Sequence, residues 1–155
     1  MIAKLVVCAA ALLLAPAPAG QQKPAEAGKP QIEQPKAIEK TSTLELLPIE
    51  ENIVKFTNAE RVRQGLQPLE VDPSLMTSAR RHASWMAQNR NMVHTRQPVA
   101  ENIAMGQPNS GAAVNDWMNS SGHRANILNQ GHRRIGVAAY RTVSGTIYWC
   151  QQFLR

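Results

Sequence analysis

Apolar residues along this chain recur at helical spacing in its first half and gather in two β-rich runs near its end, with proline, glycine and asparagine between the runs. Ile49, Ile53 and Phe56 stand at i, i+4 and i+7, and Gly65 follows the polar turn RVRQ, which predicts a helix over residues 49–64 closed by a left-handed glycine. Leu66-Gln67-Pro68-Leu69 leads out of it. Asp72-Pro73 is a capping residue followed by proline at the first helical position. Leu75, Ala79, His82 and Met86 then lie within about 60° of one another on a helix that runs to residue 90. A polar connection through His94 and Pro98 reaches AENIAM, short and apolar enough for a strand over residues 100–105. Pro108-Asn109-Ser110-Gly111 interrupts the chain before AAVNDWMN, a short helix closed by Ser120-Ser121-Gly122. Either serine can cap the next short helix, HRANILN, which ends at Gly131. RIGVAAYRT and TIYWCQQFL are β-rich runs on either side of Val143-Ser144-Gly145, a hairpin whose two faces are both largely apolar.

A sheet that is apolar on both faces needs cover on both faces. The expected class is therefore α+β, a three-layer α/β/α sandwich of about 110 residues with a small antiparallel sheet between helices.

The first 43 residues do not belong to that pattern. MIAKLVVCAAALLLAPAPAG has one basic residue, an apolar run over residues 5–14 and the small-residue sequence Ala17-Pro18-Ala19, so residues 1–19 read as a secretory signal peptide. The apolar run is about half the ~20 residues needed to span a bilayer, and no later stretch is a candidate, so no transmembrane segment is expected after signal removal. Cys8 lies in that run, but the preceding Leu5-Val6-Val7 lacks the small residue that a lipid-anchored cysteine wants beside it. With the signal removed, Cys150 is the one thiol left and an intrachain disulfide is excluded. Residues 20–43, rich in Pro, Lys, Glu and Gln, read as a disordered linker, which leaves residues 44–155 as the folding domain. A secreted, monomeric protein is expected, in the periplasm or outside the cell.

Lys and Arg number 17 against 11 Asp and Glu, and within residues 44–155 the balance is 12 to 8. Those cations are scattered singly or paired, as in Arg80-Arg81 and Arg133-Arg134, with no basic stripe on any helix and no aromatics between them. The pattern disfavours a nucleic-acid surface and fits a solvated face drawn to anionic envelope polymers.

Taken in order, TNAERVRQGLQPL, MVHTRQPVAENIA, WMNSSGHRANILNQGHRRIGV and YWCQQFL resemble the superfamily of cysteine-rich secretory proteins, antigen 5 and plant pathogenesis-related proteins, whose bacterial branch is the SCP-like extracellular domain. The resemblance covers about residues 50–155. It implies an α/β/α sandwich with a cleft where two histidines and two acidic residues converge. His94 corresponds to the first histidine, Glu101 to the acid of the Glu-Asn motif and His123 to the second histidine. The fourth position departs, because Trp117 is followed by Met118-Asn119-Ser120 and a serine stands where the family has its second carboxylate.

Two imidazoles and a carboxylate suit zinc or another divalent metal, with Glu101 either coordinating or accepting a proton from a bound water. A single carboxylate and the lack of a His-Glu-x-x-His helix point to weak binding. His123 follows a serine cap by two or three residues, so the positive end of a short helix disfavours its imidazolium. Three functions compete. The first is a secreted binding module whose His94/Glu101/His123 cleft takes a metal or small ligand and whose partner is a lipid or cell-envelope component. The second is a hydrolase, through metal-bound water or through Ser120 or Ser121 with His123 and Glu101; no Gly-x-Ser-x-Gly elbow supports the serine version. The third is an interaction protein displayed on its linker, or a lipid carrier, which would need an apolar groove for an acyl chain. Elsewhere, His82 reads as a packed core histidine, His132 as a residue of a polar loop, and Asn58 and Arg61 as ties between the first helix and neighbouring loops. Trp85, Trp117 and Trp149 read as core or cleft wall, and Cys150 as a thiol buried in one of the two layers.

Overall fold

A computed structural model describes residues 44–155; the signal peptide and linker expected over residues 1–43 lie outside the described residues. Helix α1 spans Pro48–Arg63, with proline in its first turn and the Glu50 carboxylate accepting the Leu47 N–H at 2.9 Å. Gly65, at φ +72°, donates its N–H to the Val62 carbonyl and turns the chain away, as the sequence predicts. The inward face of α1 is not the expected Ile49/Ile53/Phe56 stripe. Ile53 is buried, but its companions are Glu50, Thr57 and Arg61, while Phe56 is 37 % exposed. Hydropathy misses this face because its polar members are buried with partners: Thr57 accepts from Gln151 and Arg61 donates to backbone carbonyls.

Strand β1, Glu70–Val71, precedes helix α2, Pro73–Asn89, whose cap Asp72 accepts the N–H groups of Ser74 at 2.8 Å and Leu75 at 2.9 Å. Strand β2 is Ala100–Met105, at the predicted residues. Helices α3, Ser110–Asn119, and α4, Ser121–Ile127, meet at Ser120. Ser120 is the N-cap of α4 by position, yet its side chain makes no capping bond, so the expected serine cap is not formed. Strands β3, Arg134–Arg141, and β4, Ile147–Leu154, form the predicted hairpin around Gly145 at φ +89°.

The sheet order is β1-β3-β4-β2. β2 and β3 run antiparallel to β4, but β1 pairs parallel with β3, so the sheet is mixed where the sequence suggests an antiparallel one. A two-residue strand is too short to leave a periodic signal. α2 covers one face and α1, α3 and α4 cover the other, which makes the α/β/α sandwich. Along β4, Tyr148 and Cys150 pack with Ala79, Ala83 and Met86 on the α2 side. Trp149 and Phe153 pack with Ile53, Trp117 and Ile127 on the other. α2 lies so close to β3 that a Cβ on Gly136 would stand 2.2 Å from the Leu75 carbonyl carbon. Arg61 is almost fully buried and donates to the carbonyls of Gln67, Ile127, Asn129 and His132, while the Asn58 amide both donates to and accepts from the Leu69 backbone. Both residues are the ties the sequence suggests.

Candidate functional site

β2 is an edge strand, and side chains of adjacent strand residues point to opposite faces of a sheet. Glu101 and Asn102 therefore serve different layers. The buried Glu101 carboxylate faces the α2 side, where Oε1 accepts the Thr95 N–H at 2.8 Å and the His94 Nδ1–H at 3.0 Å. Its Oε2 accepts the Gln152 amide at 2.9 Å and lies 3.6 Å from the Cys150 thiol and 3.7 Å from His82 Nε2. Burial first, and the neighbouring Glu101 next, push the Cys150 thiol pKa well up, so it stays a protonated donor. Asn102 faces the other layer: its amide donates to the His123 carbonyl at 3.1 Å and to Gln151, and its oxygen accepts from Asn126 at 2.9 Å. A second bond from Asn126 reaches the Glu101 carbonyl, so α4 is fastened to the edge strand at His123 and at Asn126.

His94 sits in the loop between α2 and β2, with 59 % of its side chain exposed. When Nδ1 carries the proton donated to Glu101, the Nε2 lone pair is free. His123, half-buried at the start of α4, has its pKa lowered by burial and then by the nearby His94. His94 is bonded to Glu101 and the His123 carbonyl to Asn102, so both histidines border β2, close enough for His94 to add to the depression of the His123 pKa. The depression expected of His123 is present, with desolvation and a second imidazole as its causes. Glu101 is not turned toward His123; both its oxygens are engaged by protein donors. Among the described residues, no three His, Cys, Asp or Glu side chains are gathered to hold a metal ion. A Ser/His/Glu relay has no orienting acid either, because the carboxylate is bonded to His94.

Residues around Glu101 escape sequence reasoning as a group. His82 projects from α2, donates Nε2–H to the Val93 carbonyl at 2.9 Å and stacks on Trp85 with its ring plane 3° from parallel. Gln152 and Cys150 come from β4, and Gln152 is paired in register with Glu101. Only the strand register brings them together, and a lone polar residue in an apolar run is the available signal. His132 does lie in the polar loop between α4 and β3, beside Arg133 and Arg134, but its ring is buried and stacked on Phe153 at 5.4 Å, with no hydrogen-bond partner for either nitrogen. Trp117 and Trp149 are core, whereas Trp85 is 42 % exposed and forms a cleft wall.

The fold is an α/β/α sandwich whose edge strand carries a buried glutamate bonded to His94. The model of the CAP family, the cysteine-rich secretory protein family, matches residues 54–153, and the chain belongs to that family. It is 37 % identical over 142 residues to the uncharacterized protein YkwD of Bacillus subtilis, a match covering 77 % of this chain and 54 % of YkwD, so it spans about half of that relative. Among solved structures, an extracellular SCP-domain protein of Bacillus anthracis is 27 % identical with TM-score 0.62, over 73 % of this chain and 45 % of that one. An outer surface protein of Borrelia burgdorferi shares the fold at TM-score 0.62 and 21 % identity, over 69 % of this chain and 94 % of that one. No helix among the described residues is long and apolar enough to cross a membrane.

Proposed function

We propose that this chain is a secreted binding module whose His94 and His123 form a weak two-imidazole site for a divalent metal or a small ligand. The observation that carries the reading is the Glu101–His94 bond. A buried carboxylate that accepts from Nδ1 fixes the ring and leaves Nε2 basic, which is the outer-shell arrangement of metal-binding histidines. In this reading Glu101 orients a ligand and does not itself coordinate. Two neutral imidazoles suit zinc, and a site with two protein ligands binds weakly. Secretion is supported by the leader read in residues 1–19 and by the extracellular and outer-surface relatives. No observation favours a hydrolase over this reading.

The test is calorimetric titration of the full chain with zinc at neutral pH and at about pH 5.5, beside His123→Ala and Glu101→Gln. Saturable binding that weakens on acidification, disappears in His123→Ala and falls about tenfold or more in Glu101→Gln is expected. Binding that survives the loss of His123 would refute the site.

A further inference from the structure

We propose that the groove between α2 and residues 93–97 binds a carboxylate-bearing glycan of ring-form sugars. It adjoins the histidine pair through His94 but is otherwise built from other residues, so it stands or falls independently of metal binding. Its deeper end is an open pocket of about 370 Å³. Arg81, His82 and Trp85 of α2 form one wall and Val93 to Arg96 the other. A second pocket of about 410 Å³ continues it along the same helix, shares Arg81, and is lined by hydroxyl and amide groups of Ser74, Thr77, Ser78 and Gln97.

Three features select the ligand. The first is charge: no acidic residue lines either pocket, Arg81 and Arg96 enter none of the ion pairs of the described residues, and Glu101 is shielded behind His94 with its side chain 3 % exposed. Two unpaired guanidiniums facing one groove call for carboxylate or phosphate. The second is the Trp85 ring, whose inner neighbour is the parallel His82 imidazole and which is 42 % exposed. An exposed indole offers a flat apolar face to the ring of a pyranose, a face that the open-chain units of a phosphodiester polymer lack. The third is the hydroxyl and amide lining further along, which matches the next sugar's hydroxyl groups.

The groove is preformed. Val93 is held to His82, Thr95 and His94 to Glu101, and Gln97 accepts from Ser78 at 3.1 Å, so the loop that makes the second wall is tied to the core along its length. A preformed wall spares the ligand the cost of ordering it.

The experiment titrates the full chain with an oligogalacturonate and with the fully methyl-esterified form of the same oligomer, following heat and Trp fluorescence. Saturable binding of the acid form, at least about tenfold weaker binding of the ester, and at least about tenfold loss in Trp85→Ala and in Arg81→Gln/Arg96→Gln are expected. The three replaced side chains are exposed, so these variants keep the fold, which their unfolding curves check. Arg141→Gln, an exposed arginine at the end of β3 outside both pockets, is expected to bind as the parent does. Equal binding of acid and ester, an equal loss in Arg141→Gln, unchanged binding in Trp85→Ala, or no binding of the acid form would each overturn the proposal. His123→Ala is expected to retain the glycan while losing zinc, which separates this proposal from the metal reading.

Discussion

Replacing Glu101 by alanine and by glutamine should have very different costs, and the difference follows from one unpaired atom. Alanine removes the acceptor of the Thr95 N–H, the His94 ring and the Gln152 amide together. His94 is exposed and can turn to solvent, but Gln152 is fully buried and Thr95 half-buried. Each donor left without an acceptor in such surroundings costs about 1–3 kcal/mol, so Glu101→Ala is expected to lose about 2–5 kcal/mol. Glutamine keeps one oxygen, which can remain on Thr95 and His94, and turns an NH2 toward the Gln152 NH2. That clash is relieved if the Gln152 amide flips, because its Oε1 has no hydrogen-bond partner and is free to accept. Glu101→Gln then trades a charged acceptor for a neutral one at about 1 kcal/mol. Urea unfolding at neutral pH reads both, as a midpoint lowered by about 1–3 M for alanine and by less than about 1 M for glutamine at unchanged slope. Equal losses, or an alanine variant within about 0.5 kcal/mol of the parent, would refute the idea that this carboxylate organises the cleft.

Two further outcomes follow from the fold. Gly136→Ala puts a methyl against the Leu75 backbone, which no rotamer change can relieve, so α2 must shift; a loss of about 2 kcal/mol and a melting temperature lowered by about 5–10 °C are expected, and a change under about 1 °C would refute the close approach. His123 and His132 have pKa values depressed below 6.5, chiefly by burial, so the unfolded chain binds more protons than the folded one below that pH. Their contribution to stability is complete above about pH 6.5 and is lost as pH falls toward the folded values; His132→Phe, which keeps a ring on Phe153, should flatten the decline in urea midpoint between pH 7 and 5, and an unchanged slope would refute it.

Much of the molecule was legible because it depends on local chemistry. Asp72-Pro73 starts α2 through its own carboxylate, Gly65 ends α1 through a conformation few other residues adopt, and the β-rich run in residues 147–154, apolar toward both faces, is that of a strand covered on both sides. Motif order placed His94, Glu101 and His123 in one region without any coordinates. What the chain alone could not settle is which way those groups face. The direction of the Glu101 carboxylate follows from the strand register that sets it beside Gln152, and that choice of face turns it toward His94 and away from His123. The buried stripe of α1 is likewise decided by partners from other elements, since Thr57 and Arg61 are core only because Gln151 and four backbone carbonyls receive them. His132 escapes sequence reading for the same reason: a histidine between polar neighbours becomes core when Phe153, distant in sequence, supplies its stacking partner. Periodicity and capping act over a few residues and can be read from order along the chain, whereas the facing of a polar side chain is set by neighbours that only the packed layers bring together.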